Sequence, residues 1–219
     1  RLTNLLSGTR AISWPDSNSA YSYLSFFFRG EYNYKELYYA EVAARADASS
    51  RFGKDHRWGM FWSLGFMWNI KNEAFLKDIE WLTNAQIKLS TGTSGNSEIP
   101  YYDHLALVSG NANYNDEAGI YPAQSGNEEL SWEQTWANNI GLSLGFFNRV
   151  NLNVDFYHKK TTNMLMLVPQ SYAITGVGNR WDNIGAMMNR GVEVAIDGDV
   201  IRTKDFTWNL SANVSYNKN

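Results

Sequence analysis

The sequence predicts an all-β fold, a segment of an antiparallel transmembrane β-barrel with about eight strands. Apolar and polar residues alternate over long stretches, which is typical of strands with one apolar and one polar face. The connections between these stretches alternate between short and long. No apolar run reaches the roughly 18 residues of a membrane-spanning helix, which leaves spanning strands as the way to cross a membrane.

The composition narrows the class of protein. The 219 residues are 44% hydrophobic and 15% aromatic, with 9 Trp and 13 Tyr, an aromatic content high for a soluble domain. The formal net charge of −3 is too weak to suggest nucleic acid as a partner. The chain has no Cys, which excludes a disulfide framework and thiolate metal sites.

Four stretches of alternation predict the first four strands, at residues 20–34, 38–47, 57–70 and 85–92. The third is the clearest, because every even position from Trp58 to Ile70 is apolar or aromatic. The fourth is weaker. The side chains expected on the apolar face of the first three are Leu24, Phe26 and Phe28, then Tyr38, Ala40, Val42 and Ala44, then Trp58, Met60, Trp62, Leu64, Phe66, Trp68 and Ile70.

Four further strands are predicted at residues 138–147, 150–157, 186–200 and 206–216. In the last of these, every even position from Phe206 to Tyr216 is apolar or aromatic and every odd position between them is small and polar. The apolar face of the others carries Ile140, Leu142, Leu144 and Phe146, then Val150, Leu152, Val154 and Phe156, then Val192, Val194 and Ile196. Helical periodicity is nearly absent, apart from a possible single turn in residues 72–82.

The lengths of the connections favour a membrane barrel over a soluble β-sandwich. Short connections are expected at 34–36, 71–83, 147–149 and 201–204. The external loops are expected at about 49–57, 95–132 and 161–185, the second of them irregular. Short turns at one end of the strands and long loops at the other are typical of outer-membrane barrels. A β-sandwich has no reason to keep that asymmetry.

The predicted strands run about 10–14 residues, longer than the usual ~5–6 of globular sheets and closer to the ~9–11 of a tilted membrane strand. Tryptophan spacing supports the same choice. Trp58 and Trp68 share a face ten residues apart, about 33 Å along a strand and roughly 24 Å along the membrane normal after a ~45° tilt. The apolar band of such barrels is about 25 Å tall, with aromatic girdles at both edges. We therefore predict that Trp58 and Trp68 are membrane-interface girdle residues. The alternative is that both are core tryptophans of a sandwich.

The loops and turns carry a series of motifs that resemble one family. They include "RADASSRFGKDHRWGMFWSLGFMWNIKNEAFL" (45–76), "KLSTGTSGNSEIPYYD" (88–103), "LSWEQTWANNIGLSLGFFNRVNLNVDFYHKKTTNML" (130–165), "NIGAMMNRGVEVAI" (183–196) and "DFTWNLSANVSYNKN" (205–219). In order and spacing, residues 22–219 resemble SusC/RagA-type TonB-dependent outer-membrane transporters. Ala48 replaces the usual Gly of this pattern, and Trp62 stands where Pro is common.

The resemblance implies more protein than these residues contain. Members of the family have an N-terminal plug inside a barrel of about 22 strands. They import oligosaccharides or peptides across the outer membrane of Gram-negative bacteria, with energy from the TonB complex and a SusD-like surface lipoprotein as a lid. Residues 1–219 would then form a single partial β-barrel domain, with the plug and the remaining strands absent. The alternative is a complete small barrel of eight strands that anchors or scaffolds in the outer membrane.

Recognition is the chemistry that the external loops suggest. Aromatic residues there lie among Asn, Asp and Gln, a combination that suits sugar rings or extended peptides. The candidate ligand-binding residues are Tyr101, Tyr102, Tyr121, Trp132 and Trp181, with Tyr114 and Tyr172 of the same type. For any one of them, packing between loops is the alternative. Charged residues on the polar face, Glu41, Arg45, Glu193 and Asp197, are expected to brace the wall or face the plug.

No catalytic or metal site is predicted. The only histidines, His56, His104 and His158, are too scattered for a convincing set, although His104 beside Asp103 could orient as a base. Residues 111–119 echo a calcium loop but lack the Gly at its sixth position. We therefore expect no enzyme activity, cofactor or metal. An outer-membrane enzyme would need a nucleophile and base that the sequence does not offer.

Overall fold

The computed structural model describes residues 19–114 and 117–219. Its strands are β1 Tyr23–Tyr34, β2 Tyr38–Ser49, β3 Trp58–Asn69, β4 Leu82–Asn96, β5 Leu107–Tyr114, β6 Glu117–Gln124, β7 Glu133–Phe146, β8 Val150–Thr162, β9 Leu165–Pro169, β10 Asn179–Asn183, β11 Ala186–Arg202 and β12 Thr207–Lys218. One short helix, α1, covers Tyr172–Thr175. No helix in the described ranges is long and apolar enough to span a membrane.

Eight of the strands form one antiparallel sheet, in the order β1-β2-β3-β4-β7-β8-β11-β12. These are the eight strands that alternation predicts, with β4 extending beyond the weak pattern at 85–92. Within the described residues β1 and β12 are not paired with each other, so the sheet is open. The alternative of a closed eight-stranded barrel is therefore wrong for these strands.

The register gives the sheet two chemically distinct faces. Phe156 lies opposite Ile140 on one side and Val192 on the other, whereas its neighbour Asp155 lies opposite Gly141 and Glu193. Residues opposite each other in antiparallel strands share a face, so the two rows point to opposite sides. We call these sides the apolar face and the polar face. Met60 on the apolar face is 74% exposed, as expected of a surface built to contact something other than water.

Tight turns connect the strands at one end of the sheet, here called the hairpin end. Lys35 and Glu36 join β1 to β2 with φ of 53° and 58°, and Phe147 and Asn148 join β7 to β8 with φ of 56° and 52°. Positive φ at both central residues defines the type I′ turn, whose twist matches that of the strands. Residues 203–206 connect β11 to β12 just as closely.

The connection at residues 70–81 is longer than the other hairpin-end turns but compact. The expected helical turn is a 3-10 helix over Ile70–Asn72, followed by hydrogen-bonded turns. The Lys71 ammonium group donates to the carbonyls of Leu76, Lys77 and Ile79 at 2.9, 3.1 and 2.7 Å, which folds the segment around one cation.

The opposite end of the sheet, here called the loop end, carries the three long connections. The expectation of an irregular stretch at 95–132 is wrong, because β5 and β6 form a hairpin within it. The third connection contains the hairpin of β9 and β10 and the helix α1. Pro122 and several Asn and Gly residues interrupt the apolar alternation in β5 and β6, so the sequence pattern did not indicate these two strands.

Candidate functional site

The polar face is a wall of paired charges and amides. The Arg29 guanidinium contacts the carboxylates of Glu31 at 2.6 Å and of Glu41 at 3.2 Å. Arg45 contacts the buried carboxylate of Asp47 at 2.6 Å. Glu41 and Arg45, two of the four residues expected to brace the wall, thus form ion pairs within it.

The other half of the polar face holds an open depression of about 660 Å³. Asp155 and Glu193 lie opposite each other in its floor, and Gly141 leaves the space that the Asp155 carboxylate occupies. A Cβ at Gly141 would lie 2.6 Å from an Asp155 oxygen. Asp197, the fourth expected bracing residue, accepts a hydrogen bond from the Asn151 amide at 2.9 Å.

At the loop end the three long loops share one hydrophobic cluster. Phe52 comes from residues 49–57, and Leu130 from residues 97–132; both are fully buried. Their neighbours in this loop cluster are Phe61, Ile99 and Trp132, with Leu165 and Trp181 packed against it. Gly53 permits the contact, since a Cβ there would lie 2.0 Å from the Glu128 carbonyl oxygen.

Hydrogen bonds tie the same loops together. The Asn183 amide group donates to the carbonyls of Ser131 and Asn163, both at 2.9 Å, and its oxygen accepts from the Ser131 N–H at 2.7 Å. The Asn127 amide group donates to the Trp181 carbonyl at 3.1 Å. The loops therefore form one unit rather than three independent segments.

The candidate residues Tyr101 and Tyr102 lie at the edge of this unit. Tyr101 stacks on Tyr21 with ring centroids 4.9 Å apart, and the Arg51 guanidinium lies 5.1 and 5.2 Å from the two ring centres. The Tyr102 hydroxyl accepts from the Ala20 N–H at 2.9 Å and donates to the Ala20 carbonyl at 3.1 Å. Tyr102 is 39% exposed.

The other three candidates differ in exposure. Tyr121 on β6 is 46% exposed, whereas Trp132 is 4% exposed and donates its indole N–H to the Arg57 carbonyl at 2.9 Å. Trp181 on β10 is partly buried against the loop cluster. Tyr172 in α1 is 72% exposed, and the side chain of Tyr114 lies outside the described residues.

The two candidate girdle residues lie at opposite ends of β3, both on the apolar face. Trp58 at the loop end is exposed and stacks on Phe26 with centroids 6.3 Å apart. Trp68 at the hairpin end stacks on Tyr38 and donates its indole N–H to the Glu73 carboxylate at 3.0 Å. Each tryptophan thus presents an apolar ring at one limit of the face.

Sequence reasoning missed Arg51 as the cation beside the stacked pair of Tyr21 and Tyr101, and Asn183 as the residue whose hydrogen bonds join the loops. Arg51 also donates to the Ser97 carbonyl at 3.0 Å. The two tyrosines beside it come from distant segments, so no local sequence pattern indicates this cluster. The Asn183 position lies within the quoted motif at 183–196, which was the one available signal.

The pair Asp103 and His104 lies beside the loop cluster, where Asp103 contacts Trp181. His104 is 8% exposed. Burial raises the pKa of the Asp103 carboxyl above its ordinary value of 3.8, against the lowering effects of a hydrogen bond from Trp181 and of the His104 charge. No cluster of metal-ligating side chains occurs in the described part of the chain. The candidate calcium segment at 111–119 includes residues 115 and 116, which lie outside the described residues.

The chain is similar in sequence to a known protein family and to several of its members. Residues 2–219 match the model of the family described as TonB dependent receptor-like, beta-barrel. The chain is 38% identical over 196 residues to TonB-dependent receptor P39 of Formosa agariphila, with 89% of this chain and 19% of that protein covered. It is 36% identical over 208 residues to TonB-dependent receptor SusC of Bacteroides thetaiotaomicron, covering 90% of this chain and 20% of SusC.

Solved structures share the fold. The RagAB peptide transporter matches with a TM-score of 0.86 and 41% identity, over 94% of this chain and 23% of that one. The siderophore receptor PirA of Pseudomonas aeruginosa matches with a TM-score of 0.59 at 12% identity, over 90% of this chain and 32% of its own, which is a likeness of fold alone. The chain spans about a fifth of the length of the curated relatives.

Proposed function

Because this chain belongs to the TonB-dependent receptor β-barrel family, in its SusC/RagA group, we propose that it forms part of the wall and external mouth of an outer-membrane nutrient importer. The cargo is an oligosaccharide or a peptide. The apolar face contacts lipid, the polar face lines the lumen, and the loop end lies outside the cell. Energy from TonB acts through parts of the protein beyond these residues.

One observation carries this proposal: three long loops fold into a single unit at one end of a sheet whose two faces differ in polarity. A unit held by shared core residues keeps a fixed shape, and a fixed surface loses less conformational entropy when it binds. Exposed aromatic rings beside amides then offer stacking and hydrogen bonds to sugar rings or peptide groups.

Exposure divides the five candidate residues by role. We assign ligand contact to Tyr102 and Tyr121, which are both exposed, and partial contact to Tyr101 and Trp181. Trp132 instead supports them from inside the loop cluster, since its ring is buried. A SusD-like lipoprotein would cover this surface from outside as a lid. The segment carries no catalysis of its own in this scheme.

The test uses the full-length receptor together with its lipoprotein partner. Tyr121→Ala and Tyr102→Ala should each weaken binding of the transported oligosaccharide or peptide, measured by calorimetry, by roughly fivefold to tenfold, the loss of about 1 kcal/mol or slightly more of aromatic contact. The control is Phe28→Ala on the apolar face, which is 62% exposed but faces away from the lumen. Equal losses in all three variants, or none in any, would contradict the assignment.

A further inference from the structure

Basic side chains cluster on the apolar face at the loop end of β8, β11 and β12. His158 lies opposite Arg190, and Arg190 lies opposite Lys218, so three cationic or titratable side chains form one row across the strands. Lys160 lies on the same face, two residues further along β8. We call His158, Lys160, Arg190 and Lys218 the basic patch. All four are exposed.

The contacts of the neighbouring residues confirm which way the patch points. The Tyr157 hydroxyl donates to the Asn217 amide oxygen at 3.1 Å on the polar face. The Lys159 ammonium lies 5.5 Å from the centre of the Tyr157 ring, also on that face. Successive strand residues point to opposite sides, so His158, Lys160 and Lys218 point to the apolar side.

The patch marks the upper limit of an apolar band. The next row toward the hairpin end consists of Phe156, Val192 and Tyr216, and apolar residues continue below it. From Lys218 to Trp208 is ten residues, about 33 Å along the strand and roughly 24 Å along the normal at a ~45° tilt. That height equals a membrane's apolar band of about 25 Å. The basic patch therefore lies at the level of the lipid headgroups.

In the described residues, no carboxylate neutralises the positive charges of the basic patch. Among the described residues, none of the four forms an ion pair with a carboxylate. Cations directly opposite each other in neighbouring strands repel and destabilise the pairing. Glu193 and Asp155, the nearest acidic side chains in the register, point to the polar face. An external anion that contacts several of these cations at once would remove the repulsion.

The loop end of β1, β2 and β3 does not carry a comparable basic patch on its apolar face. There the last apolar-face row before the loops consists of Leu24, Ala48 and Trp58, without a charge. The patch is therefore a local feature of β8, β11 and β12 rather than a general property of the loop end. A general attraction of the loop end to the membrane surface would not require its cations to be confined to these three strands.

We propose that the basic patch binds the phosphorylated headgroup of a glycolipid in the external leaflet, and so fixes this part of the wall in the membrane. The proposal rests on the outer-membrane placement given above. The lipid offers what the site needs: phosphates at the height of the cations and acyl chains against Phe156, Val192 and Tyr216. Trp136, whose indole N–H donates to Thr91 at 3.0 Å, borders the patch on β7.

The experiment measures lipid retained by the full-length receptor in detergent micelles containing a diphosphorylated glucosamine lipid, by native mass spectrometry. Each cation near a membrane surface contributes about 1 kcal/mol, a factor of about five. We expect the affinity to fall about fivefold in Lys160→Gln and in Arg190→Gln, and roughly 25-fold in the double variant. Raising the salt concentration should lower retention by the unmodified receptor.

The matched control is the double variant Lys88→Gln with Lys159→Gln, which removes the same charge from the polar face and should retain the lipid. Equal retention of the dephosphorylated lipid, displacement by inorganic phosphate alone, or loss of a co-purifying protein with lipid unchanged would overturn the proposal. Outer-membrane insertion and nutrient uptake are measured in parallel. Normal uptake with no lipid retained refutes this site and leaves the proposed function intact.

Discussion

At the hairpin end the chain reverses within residues 35–37 and 147–149, whereas at the loop end it travels through residues 97–132 before returning to the sheet. The hairpin end depends on backbone conformation, with four non-glycine residues at positive φ. The loop end depends on contacts between segments far apart in sequence, centred on Phe52, Leu130 and Trp132. Local geometry thus shapes one end of the sheet and tertiary packing the other.

This difference predicts where substitutions act. A change at the hairpin end should alter one turn and at most the turns beside it, because the hydrogen bonds there join only neighbouring strands and turns. A change in the loop cluster should affect all three loops together, because each contributes to the same core. Five variants of the full-length receptor test the contrast, in decreasing order of expected effect.

Trp132→Ala should have the largest effect. Removing a buried aromatic side chain costs about 3–5 kcal/mol, through lost burial and the cavity that remains. Hydrogen exchange should accelerate in residues 49–57 and 163–185 as well as around position 132. Trp81→Ala at the hairpin end is the control, since the Trp81 ring is 50% exposed and stacks on Phe146, away from the loop cluster. Acceleration confined to the neighbours of position 132 would show that the loops are independent.

Gly53→Val should separate two of the loops. The new Cβ would meet the Glu128 carbonyl oxygen at 2.0 Å, a backbone contact that cannot rotate away, and we expect a cost of about 3 kcal/mol. Limited proteolysis should then cut within residues 97–132. Gly110→Val is the matched control, because a Cβ at Gly110 has no neighbour within 4 Å. Similar cleavage of both variants would contradict the packing described.

Asn183→Asp should weaken the loop cluster by about 2 kcal/mol. A carboxylate cannot donate to the carbonyls of Ser131 and Asn163, so two acceptors would face a negative charge. The readout is hydrogen exchange across residues 127–130 and 163–183, which should accelerate; the Ser131 amide is left out because it can still donate to the new carboxylate. Asn148→Asp at the hairpin end is the comparison, since Asp tolerates its positive φ as Asn does. Unchanged or slower exchange across these loop amides in Asn183→Asp would refute the assignment.

The double change Lys35→Asn with Glu36→Gly should stabilise the hairpin end by about 1 kcal/mol. Both positions have positive φ, which Asn and Gly adopt at lower cost than Lys and Glu. Urea unfolding should show the gain. Lys204→Asn with Asp205→Gly serves as the control, because neither residue has positive φ. A gain of the same size there would mean that the turn conformation is not its source.

The smallest expected effect is on pH dependence. Burial raises the pKa of Asp103 in the folded protein, so its contribution to stability is complete below the ordinary value of 3.8 and is lost as pH rises through the folded value. Asp103→Asn should remove that loss and make the loop cluster slightly more stable at neutral pH. Thermal unfolding at acidic and neutral pH measures it. A larger pH dependence in the variant would contradict the sign.

Sequence patterns predicted the sheet well because the apolar and polar alternation that indicates each strand lies within that strand's own residues. The apolar even positions from Trp58 to Trp68 follow the two-residue period of a strand, so β3 can be recognised without knowledge of any distant contact. The loop cluster is different. Trp132 stands between Ser131 and Glu133 and resembles an exposed loop aromatic, but Tyr23, Phe52 and Phe61 from other segments pack against its ring. The hairpin at β5 and β6 was missed since Pro122 and Asn residues hide its alternation.

The turns show a second limit. The sequence located the reversal at residues 34–36, yet Lys and Glu give no sign of the positive φ that they adopt. There the pairing of β1 with β2, from Tyr34 opposite Tyr38 onward, imposes the conformation on residues that disfavour it. The pairing of twelve positions between β1 and β2 outweighs the conformational preference of the two turn residues.

The shared core of the loops also limits how the proposed mouth could change its specificity. A loop transplanted alone from a relative would bring its own version of Phe52 or Leu130 to partners shaped for the original. Exchange should therefore succeed only for all three loops as a set, or for exposed positions such as Tyr121 that lie outside the core. The mouth of this wall would be inherited as one module, with variation confined to its surface.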